Sequence, residues 1–196
     1  MEFKFLDKGE KNMIQQAFTD YVVPYFDNFV RIQFSPAEVK RCENFAFTKA
    51  KTKLNSGEHC HQVDGDKEYK RNLTGIFGEL AVEKFFNIKF IDWSVGTSSN
   101  KYNTPDIGIK GLGVKTVEYG KIPIVQKKSF YPEIICIKND DNSVSIAGMA
   151  TPEILTKFQN DDLILDPKLR ARNVKSGFFG FNKLVSIETV KKEQGL

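Results

Sequence analysis

The chain has 196 residues, 40 % hydrophobic and 28 % charged, with 17 phenylalanines, three cysteines and a formal net charge of +4. This is enough for one domain with a substantial core, and the composition excludes a disordered or collagen-like chain. No apolar run reaches the ~18 residues of a membrane span, and the first residues lack a signal peptide's apolar segment, so a cytoplasmic protein is expected.

Residues 10–27 carry Met13, Ile14, Ala17, Phe18, Tyr21, Val22 and Tyr25 at spacings of three and four. That is one buried helix face, which Pro24 should bend or end. Ser35-Pro36-Ala37-Glu38 reads as a capping box opening a second helix to about residue 54. Residues 55–70 read as a polar loop. A third helix should start near Asn72 or Thr74, bury Phe77, Leu80, Ala81 and Phe85, and carry Glu79 and Glu83 on a common face. The period then changes to two. Strands are expected at 88–93, 106–110, 114–119, 134–138 and 143–150, with Gly111-Leu112-Gly113 as the tight connection between the second and third. Thr151-Pro152-Glu153 should open a short helix, and 184–190 reads as a last strand before a frayed tail. Helices followed by a mostly antiparallel meander predict a single α/β (α+β) domain. About 1–70 forms a helical N-terminal elaboration, and about 72–190 forms the core.

Three residues in this order suggest chemistry. Asp106 follows Pro105 at a strand start, Lys115 lies on the next strand, and Glu79 lies on the preceding helix. Two carboxylates can hold Mg²⁺, which keeps several waters and accepts phosphate oxygens. The metal lowers the pKa of a bound water, and a lysine stabilises the developing charge on phosphorus. Five cations and no acid lie between Lys168 and Lys183, interleaved with Phe178, Phe179 and Phe181. Arg170, Arg172 and Lys175 are therefore candidate phosphate contacts, with the three phenylalanines mostly buried, and the adjacent cations Lys127 and Lys128 are two more. His59-Cys60-His61 does not match zinc-ligand spacing, and the odd cysteine count fits reduced thiols.

Gly78-Glu79, Pro105-Asp106 and Val114-Lys115-Thr116 together resemble the PD-(D/E)xK nuclease superfamily, over residues 72–158. The resemblance implies a restriction-endonuclease-like core, a mixed central sheet flanked by helices. It implies a Mg²⁺- or Mn²⁺-dependent DNA endonuclease, a hydrolase using metal-activated water. Asp106 and Glu79 would hold the metal with the backbone carbonyl of Val114, Lys115 would stabilise the phosphorane, and Gln126, eleven residues past Lys115, would make a polar contact to the nucleic acid. A phage or mobile-element origin fits the small size, and a homodimer would suit double-strand cutting. The chain departs from the pattern at one position: the second acid of the motif is Gly113. Three readings stay open. Another carboxylate replaces it, with Glu79 or Glu83 the best donors and Glu118 weaker because its strand parity is opposite to that of Lys115. Alternatively the site is degenerate and the protein binds nucleic acid or a protein partner without cutting, or position 113 carries an altered residue.

Overall fold

The computed structural model describes residues 8–55, 65–94 and 111–195, and among them six α-helices and seven strands are present. Helix α1 (Lys8–Tyr21) is followed by a 3₁₀ turn, Val23–Asn28, with Pro24 in its first turn. The fixed φ of proline suits a helix start and ends the preceding one. Strand β1 (Val30–Gln33) was not expected from the sequence; it is short and alternates half-buried with exposed positions.

Helix α2 (Pro36–Asn55) opens on the predicted capping box. The Ser35 backbone N–H donates to Glu38 Oε2 at 2.7 Å, and the Glu38 N–H donates back to Ser35 Oγ at 3.3 Å. Lys84 adds a bond to Glu38 Oε1 at 2.8 Å. Burial alone would raise the Glu38 pKa; the bonds from Lys84 and Ser35 outweigh it and hold the group below its ordinary 4.5. The stabilisation is therefore complete above pH 4.5 and is lost as pH falls through the lowered value. Glu38→Gln should cost about 0.5 kcal/mol at neutral pH, small because the pair is partly screened, and the difference should vanish in acid. Urea unfolding of both proteins across pH checks this.

Helix α3 (Gly65–Phe86) begins earlier than the expected Asn72 or Thr74. Asp66 and Glu68 in its first turn complement the positive end of the helix dipole. The expected strand at 88–93 is absent, and this stretch runs as irregular chain. Its backbone donors go to a side chain instead of a ladder: Phe90 and Ile91 N–H both donate to Glu83 Oε1 at 2.8 Å. Strand 106–110, Pro105-Asp106 and His59-Cys60-His61 lie outside the described residues.

Strands β2 (Gly113–Glu118), β4 (Glu133–Lys138) and β5 (Ser143–Ala150) form a sheet in the order β1-β5-β4-β2, with a short β3 (Ile124–Gln126) placed elsewhere. The meander expectation is corrected here: β2 runs parallel to β4, with Gly113 opposite Glu133 and Lys115 opposite Ile135. β4 is central and buried on both faces from Ile134 to Ile137, as its continuous apolar run predicted. Helix α4 (Pro152–Lys157) starts as expected, with the Thr151 hydroxyl accepting from the Ile154 N–H. Strands β6 (Gln159–Asn160) and β7 (Lys175–Phe178) join β3 in a second, antiparallel sheet ordered β3-β7-β6, and helix α5 (Pro167–Ala171) lies between them in sequence. The expected strand at 184–190 is instead helix α6 (Ile187–Glu193), capped by Ser186, whose Oγ accepts from the Thr189 N–H. Ile187 and Val190, three apart, fill one helix face and are both buried.

The chain is thus mixed α/β, with the larger sheet between two apolar layers. Phe77, Leu80, Ala81 and Ile187 pack on the face carrying Ile134, Cys136, Val144 and Ile146. Phe18, Val125, Leu155, Phe178 and Phe181 pack on the face carrying Ile135 and Ile137. Cys42 and Cys136 are buried free thiols. No helix among the described residues is long and apolar enough to cross a membrane.

Candidate metal and nucleic-acid site

Helix α3 approaches β2 more closely than a side chain would allow. A Cβ on Gly78 would lie 1.7 Å from Thr116 Oγ1 and 2.8 Å from Thr116 Cβ. Gly78 therefore seats the helix on the strand, and Glu79, the next residue, is carried beside it half-buried. The contact also fixes the faces of β2. Thr116 points at α3, so Lys115 points to the opposite face. The apolar layers agree, since Val114 packs with the α3 cluster and Val117 with the other. Glu79 and Lys115 thus stand on different faces of β2. Glu79 is near α2: burial pushes the Cys42 thiol up to about 12, and Glu38, Glu43 and Glu79 add to that against the pull of Arg41.

Backbone pairing settles where the Val114 carbonyl goes. The Gly113 N–H donates to the Pro132 carbonyl and the Tyr119 N–H to the Lys138 carbonyl, both at 2.9 Å. Odd-numbered residues of β2 therefore pair with β4, and the peptide groups of Val114 face away from β4, on the side where β2 has no neighbour among the described strands. Lys115 projects from one face beside that edge. Glu118 shares the parity of Thr116, as expected, and its carboxyl is held low by the Lys121 ammonium against the opposing effect of burial.

Glu83 is not poised for a metal. Its side chain is 1 % exposed, and it accepts from Phe90 and Ile91 while pairing with Lys89 at 3.4 Å. A carboxylate with these partners holds chain 88–93 against the end of α3. It would have to surrender them to coordinate an ion.

Position 113 was informative in a way the sequence could not reveal. A Cβ there would lie 2.8 Å from Tyr131 Cε2 and 3.3 Å from Glu133 Cγ. The absent side chain leaves a cradle on the Lys115 face, and the stem of Glu133 leans into it from the neighbouring strand. Residues paired across a parallel ladder point to the same face, so Glu133 and Lys115 share one. Sequence reasoning missed Glu133 because its proximity depends on the β2–β4 register. Among the described residues no three His, Cys, Asp or Glu side chains gather as a metal-binding group. Asp106, the remaining acid of the set, lies outside them. In kind, carboxylates and a main-chain carbonyl are the oxygen donors that a hard divalent cation takes.

The basic residues divide. Lys127 bonds to Asp161 and Asn173, and its ammonium, with Ser176, holds the Asp161 carboxyl below the usual range. Arg170 donates from Nε and Nη2 to the Ile164 carbonyl at 3.1 and 2.7 Å, bracing the loop before α5. Gln126 is exposed at its side chain, and its carbonyl accepts from Gln159. Lys128 and Arg172 are exposed and Lys175 half-buried. Phe178 and Phe181 are core residues and Phe179 is partly buried, as predicted. An aromatic that the sequence did not single out stands free instead: Phe130 is 90 % exposed, in the loop joining Lys128 to Tyr131.

Comparison with known proteins finds no matching family model, no matching curated protein and no matching solved structure.

Proposed function

We propose that the protein is a divalent-metal-dependent DNA endonuclease that hydrolyses phosphodiester bonds with a metal-activated water. The observation that carries this reading is the outer edge of β2, where the Val114 carbonyl turns outward and Lys115 projects beside it. Asp106 and the Val114 carbonyl would hold Mg²⁺ or Mn²⁺, with Glu79 brought alongside by the Gly78 contact. The cation supplies Lewis acidity and an activated water when bound. Lys115 would balance charge on the phosphorane, worth most where water is excluded. Lys128, Arg172 and Lys175 would contact phosphates, and the exposed ring of Phe130 offers a stacking surface for a base. Lys127 and Arg170 are engaged within the protein and serve its framework first.

A second reading, a nucleic-acid or protein binder without catalysis, draws on the missing acid at 113 and on the separation of Glu79 from Lys115. One experiment separates the two. Supercoiled plasmid is incubated with wild-type protein, Asp106→Ala and Lys115→Ala, in Mg²⁺, Mn²⁺ or EDTA. The nuclease reading expects metal-dependent nicking that each substitution lowers by at least about 100-fold. Binding with no nicking in either metal contradicts it.

A further inference from the structure

We propose that the corner where β3 meets β7 binds an unpaired nucleic-acid strand, with Phe130 stacking on a base and Lys128, Arg172 and Lys175 meeting its phosphates. The inference rests on the nucleic-acid reading above and names the form of nucleic acid taken at this surface.

The ladder sets which side chains face outward. Gln126 pairs with Lys175 across β3 and β7, so their side chains share a face. Val125 and Ser176, the neighbouring pair, are 2 % and 1 % exposed and occupy the inner face, which leaves Gln126 and Lys175 on the outer one. The two strand ends are tied again just past the ladder. The Lys127 N–H donates to the Val174 carbonyl at 3.0 Å, and the Lys127 ammonium donates to Asn173 Oδ1. Lys128 is the next residue beyond that tie on one side and Arg172 on the other, and both are exposed. Of the acids nearby, Asp161 is taken by Lys127 and Ser176, and Asp166 accepts from the Lys168 and Leu169 N–H groups. Asp162 is exposed, and it stands against Lys128, Arg172 and Lys175.

Phe130 comes two residues after Lys128. The Ser129 hydroxyl donates to the Tyr131 carbonyl at 2.9 Å and closes a turn around it. The far side of the turn is held to β2, where the Pro132 carbonyl accepts from the Gly113 N–H at 2.9 Å. The ring is thus carried on a braced turn, and at 90 % exposure it is the most exposed large hydrophobic side chain among the described residues. Val174, 52 % exposed, adds apolar surface at the same corner. A free ring beside cations matches a single strand in both of its chemistries: every base has a π-face, and phosphates take Lys and Arg. Inside a duplex both faces of a base are covered by its neighbours, so a projecting ring finds nothing to stack on. A protein partner would cover the ring by apolar contact, for which an aliphatic side chain serves as well.

Binding is followed by fluorescence anisotropy in EDTA, with labelled oligothymidylate, oligouridylate and a duplex of equal length. Phe130→Ala should weaken single-strand binding by roughly 5- to 100-fold, the loss of one stacked base, and leave duplex affinity unchanged within about twofold. Phe130→Trp should keep the affinity. Phe130→Leu keeps apolar volume without the ring, so it should fall with the Ala variant; it also stands in if that variant does not fold. Replacing Lys128, Arg172 and Lys175 together by Ala should lower the slope of log affinity against log salt by about 2 on a single strand. The two single-strand arms tell DNA from RNA, and binding of either supports the inference. Wild-type affinity in Phe130→Ala or Phe130→Leu, equal losses on the duplex, or no single-strand binding by the wild-type protein overturns it. Plasmid nicking by a protein that fails this test leaves the nuclease reading intact. Single-strand binding without nicking contradicts the nuclease and leaves this inference standing.

Discussion

Glu83→Ala should destabilise the protein by about 3–5 kcal/mol, the largest effect expected of any single substitution considered. The carboxylate is buried to 1 % exposure and receives two backbone N–H groups at 2.8 Å each. Hydrogen bonds to a charged acceptor contribute about 1.5–3 kcal/mol apiece, and donors left unsatisfied in a buried place cost at least as much as the bonds were worth. For a chain of this size the loss corresponds to a fall in Tm of roughly 10 °C or more. Urea unfolding with the slope compared between variants gives the number. A variant of unchanged stability that loses Mn²⁺ affinity would instead make Glu83 a ligand and not a clamp. The structural role explains why 88–93 is irregular: the carboxylate takes the donors that a neighbouring strand would have taken.

Gly78→Ala should cost about 2–3 kcal/mol and should also disturb whatever Glu79 does. In an exposed helix the same change would gain up to about 1 kcal/mol. Here the new methyl meets Thr116 Oγ1 at 1.7 Å, Cβ at 2.8 Å and Cγ2 at 3.0 Å. Every heavy atom of the threonine side chain is within reach, so no rotamer clears the space and α3 must lift from β2. Overpacking of this kind costs about 1–3 kcal/mol, and occasionally more. Thr116→Gly should restore much of the loss in the double variant, and the cycle measures the coupling between helix and strand. Additive effects in that cycle would contradict the contact.

Much of the fold was legible where one local rule acts alone. Ser35-Pro36-Ala37-Glu38 caps a helix because each residue satisfies a terminal group, and Pro24 ends one because its φ is fixed. The short apolar run of β4, rich in β-branched residues, reads as a central strand, and Ile134 to Ile137 are buried in one. The failures share a cause, which is that distant partners decide. The stretch 88–93 looks like a strand in isolation, yet its donors belong to Glu83. Ile187 and Val190 fit a strand or a helix, and the Ser186 cap decides for the helix. The parallel pairing of β2 with β4 has no local signature at all.

The candidate site was legible to the same degree. The strand bearing Val114 and Lys115 was placed correctly. What no spacing could give was the face each side chain occupies. The Gly78 contact with Thr116 puts Glu79 across the strand from Lys115. The β2–β4 register puts Glu133 beside Gly113. Both facts depend on packing between elements far apart in the chain, where a single-sequence reading has no purchase.

The most direct test of a metal-dependent phosphodiesterase centre at the edge of β2 is anomalous diffraction from crystals soaked in Mn²⁺. The account predicts one strong peak beside β2, about 2.1–2.5 Å from the Val114 carbonyl oxygen and from a carboxylate oxygen of Asp106. A Mn²⁺ peak elsewhere on the molecule, or none at this edge in crystals saturated with the ion, would contradict it.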